Sequence, residues 1–302
     1  MRAVGLSGGI ESYESYCPNF PPRPFPPMRL IPFALFRQLG YIPRSSENFT
    51  IDRERLDCSR SFVIFVSHEE RPKNIDTSRY TIIVKAVEQL CKIINSKIGR
   101  DNVHLWLDYT SIDQDNAAQD EREAVDYYIQ LSDAILTPIV DTGSSWFYSN
   151  SLSPEAATFE RYKAEGWQRY WSRAWCRAEA FLAATLPVRG SDKFLSTGLN
   201  GKRPHLLMGT RDVEVEKLWV LPSLCKSFLD RYNPVDGEVE SQDDYTTVAL
   251  FWQLIQDRTA KGYKGQKDAE GTPHGPGTMR GTEGDVYTGD HVNGAREGHG
   301  VL

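Results

Sequence analysis

Residues 61 to 140 alternate short, continuous apolar runs with longer segments of helical period, and few folds accommodate that alternation. SFVIFVS at 61–67 is rich in Val, Ile and Phe, as expected of a strand buried on both faces. In 76–98, Ile83, Val87, Leu90, Ile94 and Ile98 recur at helical spacing, with Asp76, Thr77 or Ser78 available to cap the start. VHLWLD at 103–108 reads as a second buried strand. Residues 117–133 read as a second helix through Glu121, Ala124, Val125 and Tyr128, and AILTPIV at 134–140 as a third strand. Pro138 lacks a ladder donor, which predicts an edge or bulge position for that strand. Strand, helix, strand, helix, strand predicts an α/β domain in which right-handed crossovers place helices on both faces of a parallel sheet. Ligands of such sheets gather beyond the carboxyl ends of the strands. Two polar stretches fall there: Ser67-His68-Glu69-Glu70, and the segment from Asp108 through YTSIDQDN.

The rest of the chain divides around this core. Residues 1–57 are expected as a Pro-rich N-terminal extension, 58–190 as the α/β core, 191–260 as a helical and mixed extension of it, and 261–302 as a repeat segment. NFPPRPFPP at 19–27 favours polyproline II and is read as an extended arm, with an SH3-type ligand as the alternative. MRLIPFALFRQLGYIP after it is apolar enough to dock on a core. The 302 residues carry a net charge of −6, which argues against a phosphate-neutralising nucleic-acid surface. No run approaches the ~18 apolar residues of a membrane span, and the N-terminus lacks the apolar run of a signal peptide. Five scattered cysteines without a C-x-x-C predict reduced thiols and a cytoplasmic protein, and six scattered histidines predict no metal site.

After residue 260 glycine becomes frequent and a period emerges. Tyr263-Lys264-Gly265 and Tyr287-Thr288-Gly289 each precede a G-x-G: Gly275 and Gly277 in the first unit, Gly298 and Gly300 in the second. The corresponding G-x-G glycines lie 23 residues apart. This order resembles a pair of MORN repeats, each a β-hairpin stacked on the next. The resemblance implies a small β-hairpin segment that docks on a protein partner or on membrane lipid, so a location peripheral to the membrane is also expected.

YWSRAWCRAEAFLA at 170–183 sets one carboxylate in an apolar helical stretch. With Ser172 as N-cap, Trp175, Glu179, Leu182 and Leu186 share a face, and none of the helical neighbours of Glu179 on that face is cationic. A buried carboxylate is costly unless something satisfies it. Helix geometry leaves two readings open: a tertiary partner that ties it off, or a carboxylate held at the edge of a cleft for a ligand.

FVIFVSHEE, VHLWLD and WSRAWCRAEAF, in that order, resemble the Toll/interleukin-receptor (TIR) domain superfamily, with Ser172, Trp175, Cys176 and Glu179 matching its S-x-W-C-x-x-E-type motif. WLDYTSIDQDNAAQDEREAV and RAWCRAEA are also similar to the fungal heterokaryon-incompatibility (HET) domain. The resemblance covers roughly residues 58–190. It implies a flavodoxin-like parallel sheet flanked by helices and, as in many TIR domains, hydrolysis of NAD+ at the nicotinamide–ribose bond in signalling or defence. Glu179 would be the catalytic residue. Ser67, His68, Glu69, Asp108, Trp175 and Cys176 would line the substrate site, with the segment after Asp108 as its gate. NAD+ or a related nucleotide enters as substrate, no cofactor is needed, and self-association is expected. The alternatives are a non-catalytic TIR/HET-like scaffold and a nucleotide sensor that binds without turnover.

Overall fold

The computed structural model describes residues 25–57, 60–68, 77–93, 98–115, 119–140, 165–186, 205–209, 219–220, 232–259, 262–280 and 286–301. Most of the Pro-rich stretch, Glu69, Glu70, Ile94, the 141–164 connection and much of 187–231 lie outside these residues.

The first body is a seven-stranded mixed sheet in the order β2-β1-β4-β3-β5-β6-β7. Its strands are β1 (Arg29–Pro32), β2 (Ile51–Asp52), β3 (Phe62–Val66), β4 (Val103–Trp106), β5 (Ala134–Ile139), β6 (His205–Gly209) and β7 (Trp219–Val220). The four inner strands, β4, β3, β5 and β6, run parallel, as the alternating pattern predicts. The flanks do not: β1 pairs antiparallel with β4 and with β2, and β7 pairs antiparallel with β6. The wholly parallel sheet expected from sequence is therefore corrected to a parallel centre with antiparallel margins. Part of the segment read as an N-terminal extension also belongs to the sheet, because β1 supplies buried Leu30 and Ile31.

Helices cover both faces. These are α1 (Phe33–Leu39), α2 (Thr77–Ile93), α3 (Asp108–Ser111), α4 (Gln119–Glu123), α5 (Val125–Leu131), α6 (Glu165–Ser172), α7 (Ala174–Ala184) and α8 (Gln242–Thr259). Successive strand side chains alternate between faces, so each buried strand feeds two cores. Phe62, Ile64 and Val66 join Val103, Leu105 and Leu136 under α1 and α2, where Ile83, Val87 and Leu90 pack. Val63, Phe65, Trp106, Ile135 and Leu207 face the other way, against Tyr128, Phe181, Leu182 and Val248 of α5, α7 and α8. The single helix expected over 117–133 is two, α4 and α5, and Ala124 between them has φ −78° and ψ −8°.

Pro138 lies in an inner strand, not at an edge: β5 pairs with β3 on one side and β6 on the other. The reason is local. The Leu136 carbonyl accepts from the Ser67 N–H at 2.9 Å, so the alternation of the strand turns the Pro138 nitrogen toward the same side. By that point β3 has ended at Val66, so the Pro138 nitrogen falls past the end of the neighbouring strand and not within its ladder.

The second body is a four-stranded antiparallel sheet, β8 (Gly262–Lys267), β9 (Pro273–Arg280), β10 (Val286–Val292) and β11 (Ala295–Val301), paired in simple succession. The last hairpin closes through Asn293 (φ 50°) and Gly294 (φ 81°), the two-residue Asn-Gly turn that suits strand twist. The repeat glycines have a steric explanation. A Cβ at Gly277 would land on the ring and hydroxyl of Tyr263, and one at Gly300 on those of Tyr287. Each tyrosine thus lies flat across a bare backbone and donates its hydroxyl proton to carbonyls of its own unit, Tyr263 to Gln266 O at 2.8 Å and Tyr287 to Glu297 O at 3.1 Å.

Candidate functional site

Ser67 is the first residue past the carboxyl end of β3, where the chain passes between β4 and β5. Its alternation with Val63 and Phe65 turns its side chain toward the face covered by α6 and α7. Those two helices form a broken pair. Arg173 between them is extended (φ −86°, ψ 132°), and residue 238 stitches the break: Glu238 N–H donates to Ser172 O and Ala174 N–H donates to Glu238 O. Ser172 therefore ends α6 and does not cap α7, as the sequence had led one to expect; the cap position belongs to Arg173. The break lets side chains from two helices, Tyr170 and Glu179, converge on one hydroxyl.

Ser67 Oγ donates to Glu179 Oε2 at 2.5 Å and lies 2.7 Å from the Tyr170 hydroxyl. Tyr170 is fully buried, and its hydroxyl also reaches the Cys176 carbonyl at 3.3 Å and Thr137 Oγ1 at 3.4 Å. Thr137 Oγ1 in turn lies 2.6 Å from His205 Nε2. On the β4 side, His68 Nε2 meets Asp108 Oδ1 at 2.7 Å, and the Cys176 thiol donates to the His68 carbonyl at 3.4 Å. The His68 side chain is 5% exposed and Asp108 35%, so the pair runs from the interior toward solvent. His68 Nδ1 is buried without a hydrogen-bond partner among the described residues.

Glu179 is half-buried, and among the described residues no ion pair reaches it. Its nearest satisfied partner is neutral Ser67. Burial pushes its carboxyl from the ordinary 4.5 up to about 8. The Ser67 hydrogen bond opposes that rise, the Asp108 charge adds to it, and Arg173 opposes it from a distance while paired with Glu240. Burial likewise holds His205 neutral, lowered to about 3, and raises the Tyr170 phenol, with the Cys176 and Glu179 charges adding to the latter. A protonated carboxyl at neutral pH, beside a second carboxylate and close to a strand terminus, is poised to respond to an incoming positive charge.

Of the residues expected at the site, Ser67, His68, Asp108, Cys176 and Glu179 come together. Trp175 does not: it packs against the α8 side and meets the Phe251 ring edge-on at 5.8 Å. Glu69 lies outside the described residues. The segment after Asp108, expected as a gate, is fastened to residues 43–45: Thr110 Oγ1 donates to Pro43 O, and Arg44 pairs with Asp115 at 2.5 Å. Tyr170, Thr137 and His205 were not identified from sequence. The signal available was a threonine and a histidine inside two otherwise apolar strands, AILTPI and HLLMG. No family model, curated protein or solved structure matches this chain.

Proposed function

We propose that the chain is a TIR-like NAD+ glycohydrolase in which Glu179 is the catalytic carboxylate. The observation that carries this reading is the position of the Ser67–Glu179 pair. Counted among themselves, the parallel strands run second, first, third, fourth, from β4 through β3 and β5 to β6. That is the beginning of the flavodoxin-like order, whose ligand crevice opens between the first and third strands. Ser67 directly follows the first of these strands, and its backbone is bonded to the third. A titratable carboxyl that no ion pair reaches among the described residues is therefore bonded to the residue that follows the first strand, beside the crevice of such sheets.

The chemistry follows from charge. NAD+ brings a pyridinium that favours the ionised form of a carboxyl raised to about 8 by burial. Cleavage breaks the bond from ribose C1′ to the ring nitrogen, and the electron pair leaves with neutral nicotinamide. The positive charge passes to an oxocarbenium-like ribose, which Glu179 stabilises. Water attacks C1′ and loses its proton to a nearby base, giving ADP-ribose. In this reading Ser67 holds the carboxylate, Asp108, the more exposed member of its pair, binds a ribose hydroxyl, and His68 orients Asp108 through Nε2. The hairpin sheet serves as a MORN-type docking surface, and self-association concentrates the sites.

The test is nicotinamide release from NAD+ by wild type and Glu179→Gln, each checked for folding by circular dichroism. Loss of the charge-stabilising group is expected to slow release about 10²–10³-fold. Equal release by the two proteins, or none from wild type across a range of protein concentrations, refutes the proposal. If NAD+ raises Tm and stays intact, the nucleotide-sensor reading replaces it.

A further inference from the structure

We propose that Tyr170 is a positioning residue that holds Glu179 in both of its charge states by moving its phenolic proton between Ser67 Oγ and the Cys176 carbonyl. The inference rests on counting protons along a buried chain of hydrogen bonds. Ser67, Tyr170 and Thr137 each carry one hydroxyl proton, and each oxygen has at least two neighbours to satisfy.

When Glu179 is ionised, it can only accept. Ser67 then points its proton at Glu179 Oε2, and Ser67 Oγ accepts from the Tyr170 hydroxyl 2.7 Å away. The phenol oxygen accepts from Thr137, and Thr137 Oγ1 accepts from His205 Nε2–H. When Glu179 is protonated on Oε2, the oxygen that faces Ser67, it donates to Ser67. The Ser67 proton must now turn to the phenol oxygen, and the phenol proton must leave Ser67. The Cys176 carbonyl at 3.3 Å is placed to take it. Neither state leaves a buried hydroxyl without an acceptor, which is the condition such a network must meet. Thr137 and His205 anchor the phenol oxygen in both states from strands β5 and β6.

The break between α6 and α7 gives this arrangement its geometry. Tyr170 lies before the break, and Cys176 and Glu179 lie after it, so the phenol looks across at the first turn of the helix that carries the carboxylate. The charged and titratable groups around Glu179 are Tyr170 from α6, Arg173 and Cys176 at the start of α7, Asp108 of α3, and His68 held by Asp108. None of them can exchange a proton direction with Ser67 except Tyr170, through the 2.7 Å contact.

The test reads the proton and not turnover, so it stands or falls apart from NAD+ cleavage. Full-length protein is labelled with 13C at the glutamate side-chain carboxyls and the cysteine backbone carbonyls. Glu179→Gln and Cys176→Ser assign the two signals, and both are followed by NMR from pH 5 to 10. In wild type the Glu179 carboxyl and the Cys176 carbonyl are expected to shift with one midpoint. In Tyr170→Phe the Glu179 signal is expected to titrate still, while the Cys176 shift is lost. Ser67→Ala cuts the chain one link earlier and is expected to silence Cys176 in the same way, which covers the case of a Tyr170→Phe protein that does not fold. A Cys176 carbonyl that shifts equally in wild type and either variant overturns the proposal. So does one that stays flat in wild type while Glu179 titrates, or a Glu179 signal that does not titrate at all.

Discussion

Glu179 makes folding sensitive to pH in a direction opposite to that of most carboxylates. The folded protein keeps its proton up to about pH 8, whereas the unfolded chain releases it near 4.5. Between those values the folded state binds more protons, so stability falls as pH rises and levels off above 8, by at most about 1.4 kcal/mol per pH unit. In Glu179→Gln this slope is removed. The expected result is a Tm advantage of the variant over wild type that grows from pH 5 to pH 9, read by thermal melts in matched buffers; a constant difference contradicts the burial assigned to this group. For the NAD+ cleavage proposed above, kcat/KM is expected to rise with pH and flatten above about 8, because the free protein must lose that proton before the carboxylate can face a cation. At this scale helical spacing singled out Glu179 as an awkward carboxyl, and only the TIR resemblance implied a role for it and a place for Ser67 at the same site. Neither pointed to Ser67 as its partner or to Tyr170 behind it, because those contacts join residues separated by 112 and 103 positions in sequence.

At the scale of elements, hydrophobic period was a sound guide to existence and a poorer one to interruption. The strands at 62–66, 103–106 and 134–139 and the helix from Thr77 stand where the pattern put them. The extended Arg173 that splits α6 from α7 left no trace in composition, since the backbone groups that stabilise it come from Glu238, 65 residues downstream. The hairpin segment shows the reverse case, in which glycine spacing had a meaning readable in advance and a steric cause visible afterwards. Gly277→Ala is expected to destabilise the β8–β9 hairpin by about 1–3 kcal/mol, since the added methyl group overlaps the Tyr263 ring. Hydrogen exchange of the β8 and β9 amides should quicken, with Val63 to Phe65 in β3 unchanged. Tyr263→Phe should not rescue it, because ring atoms as well as the hydroxyl are in the way, whereas Tyr263→Ala should restore much of the loss. Equal protection in wild type and Gly277→Ala would show that the tyrosine does not lie on that glycine.

At the scale of the whole molecule, α8 is bound to the α/β body partly by charge. Arg258 grips Asp126 with two hydrogen bonds, 2.8 and 2.9 Å, and both side chains are nearly buried, at 9% and 12% exposure. Arg122 and Asp244 add a second link between the same regions, at 3.3 Å. Removing Asp126 takes both of these charge-assisted bonds from a nearly buried arginine, so Asp126→Ala is expected to destabilise the fold by about 3–5 kcal/mol, measured by urea unfolding. A loss below about 1 kcal/mol would place that pair among ordinary surface contacts. Among the described residues no helix is long and apolar enough to cross a membrane. By itself the sequence determined the α/β class, the buried inner strands, the paired Tyr–Gly hairpin units and the presence of an awkward carboxyl on an apolar face. These follow from local period and from what each side chain tolerates, and both are written along the chain. The tertiary structure alone decided the antiparallel margins of the sheet, the inner place of Pro138, and the meeting of Ser67, Tyr170 and Glu179. Each depends on which backbone and side-chain groups find one another across long stretches of sequence, and hydrogen bonds of that reach are fixed by packing, not by period.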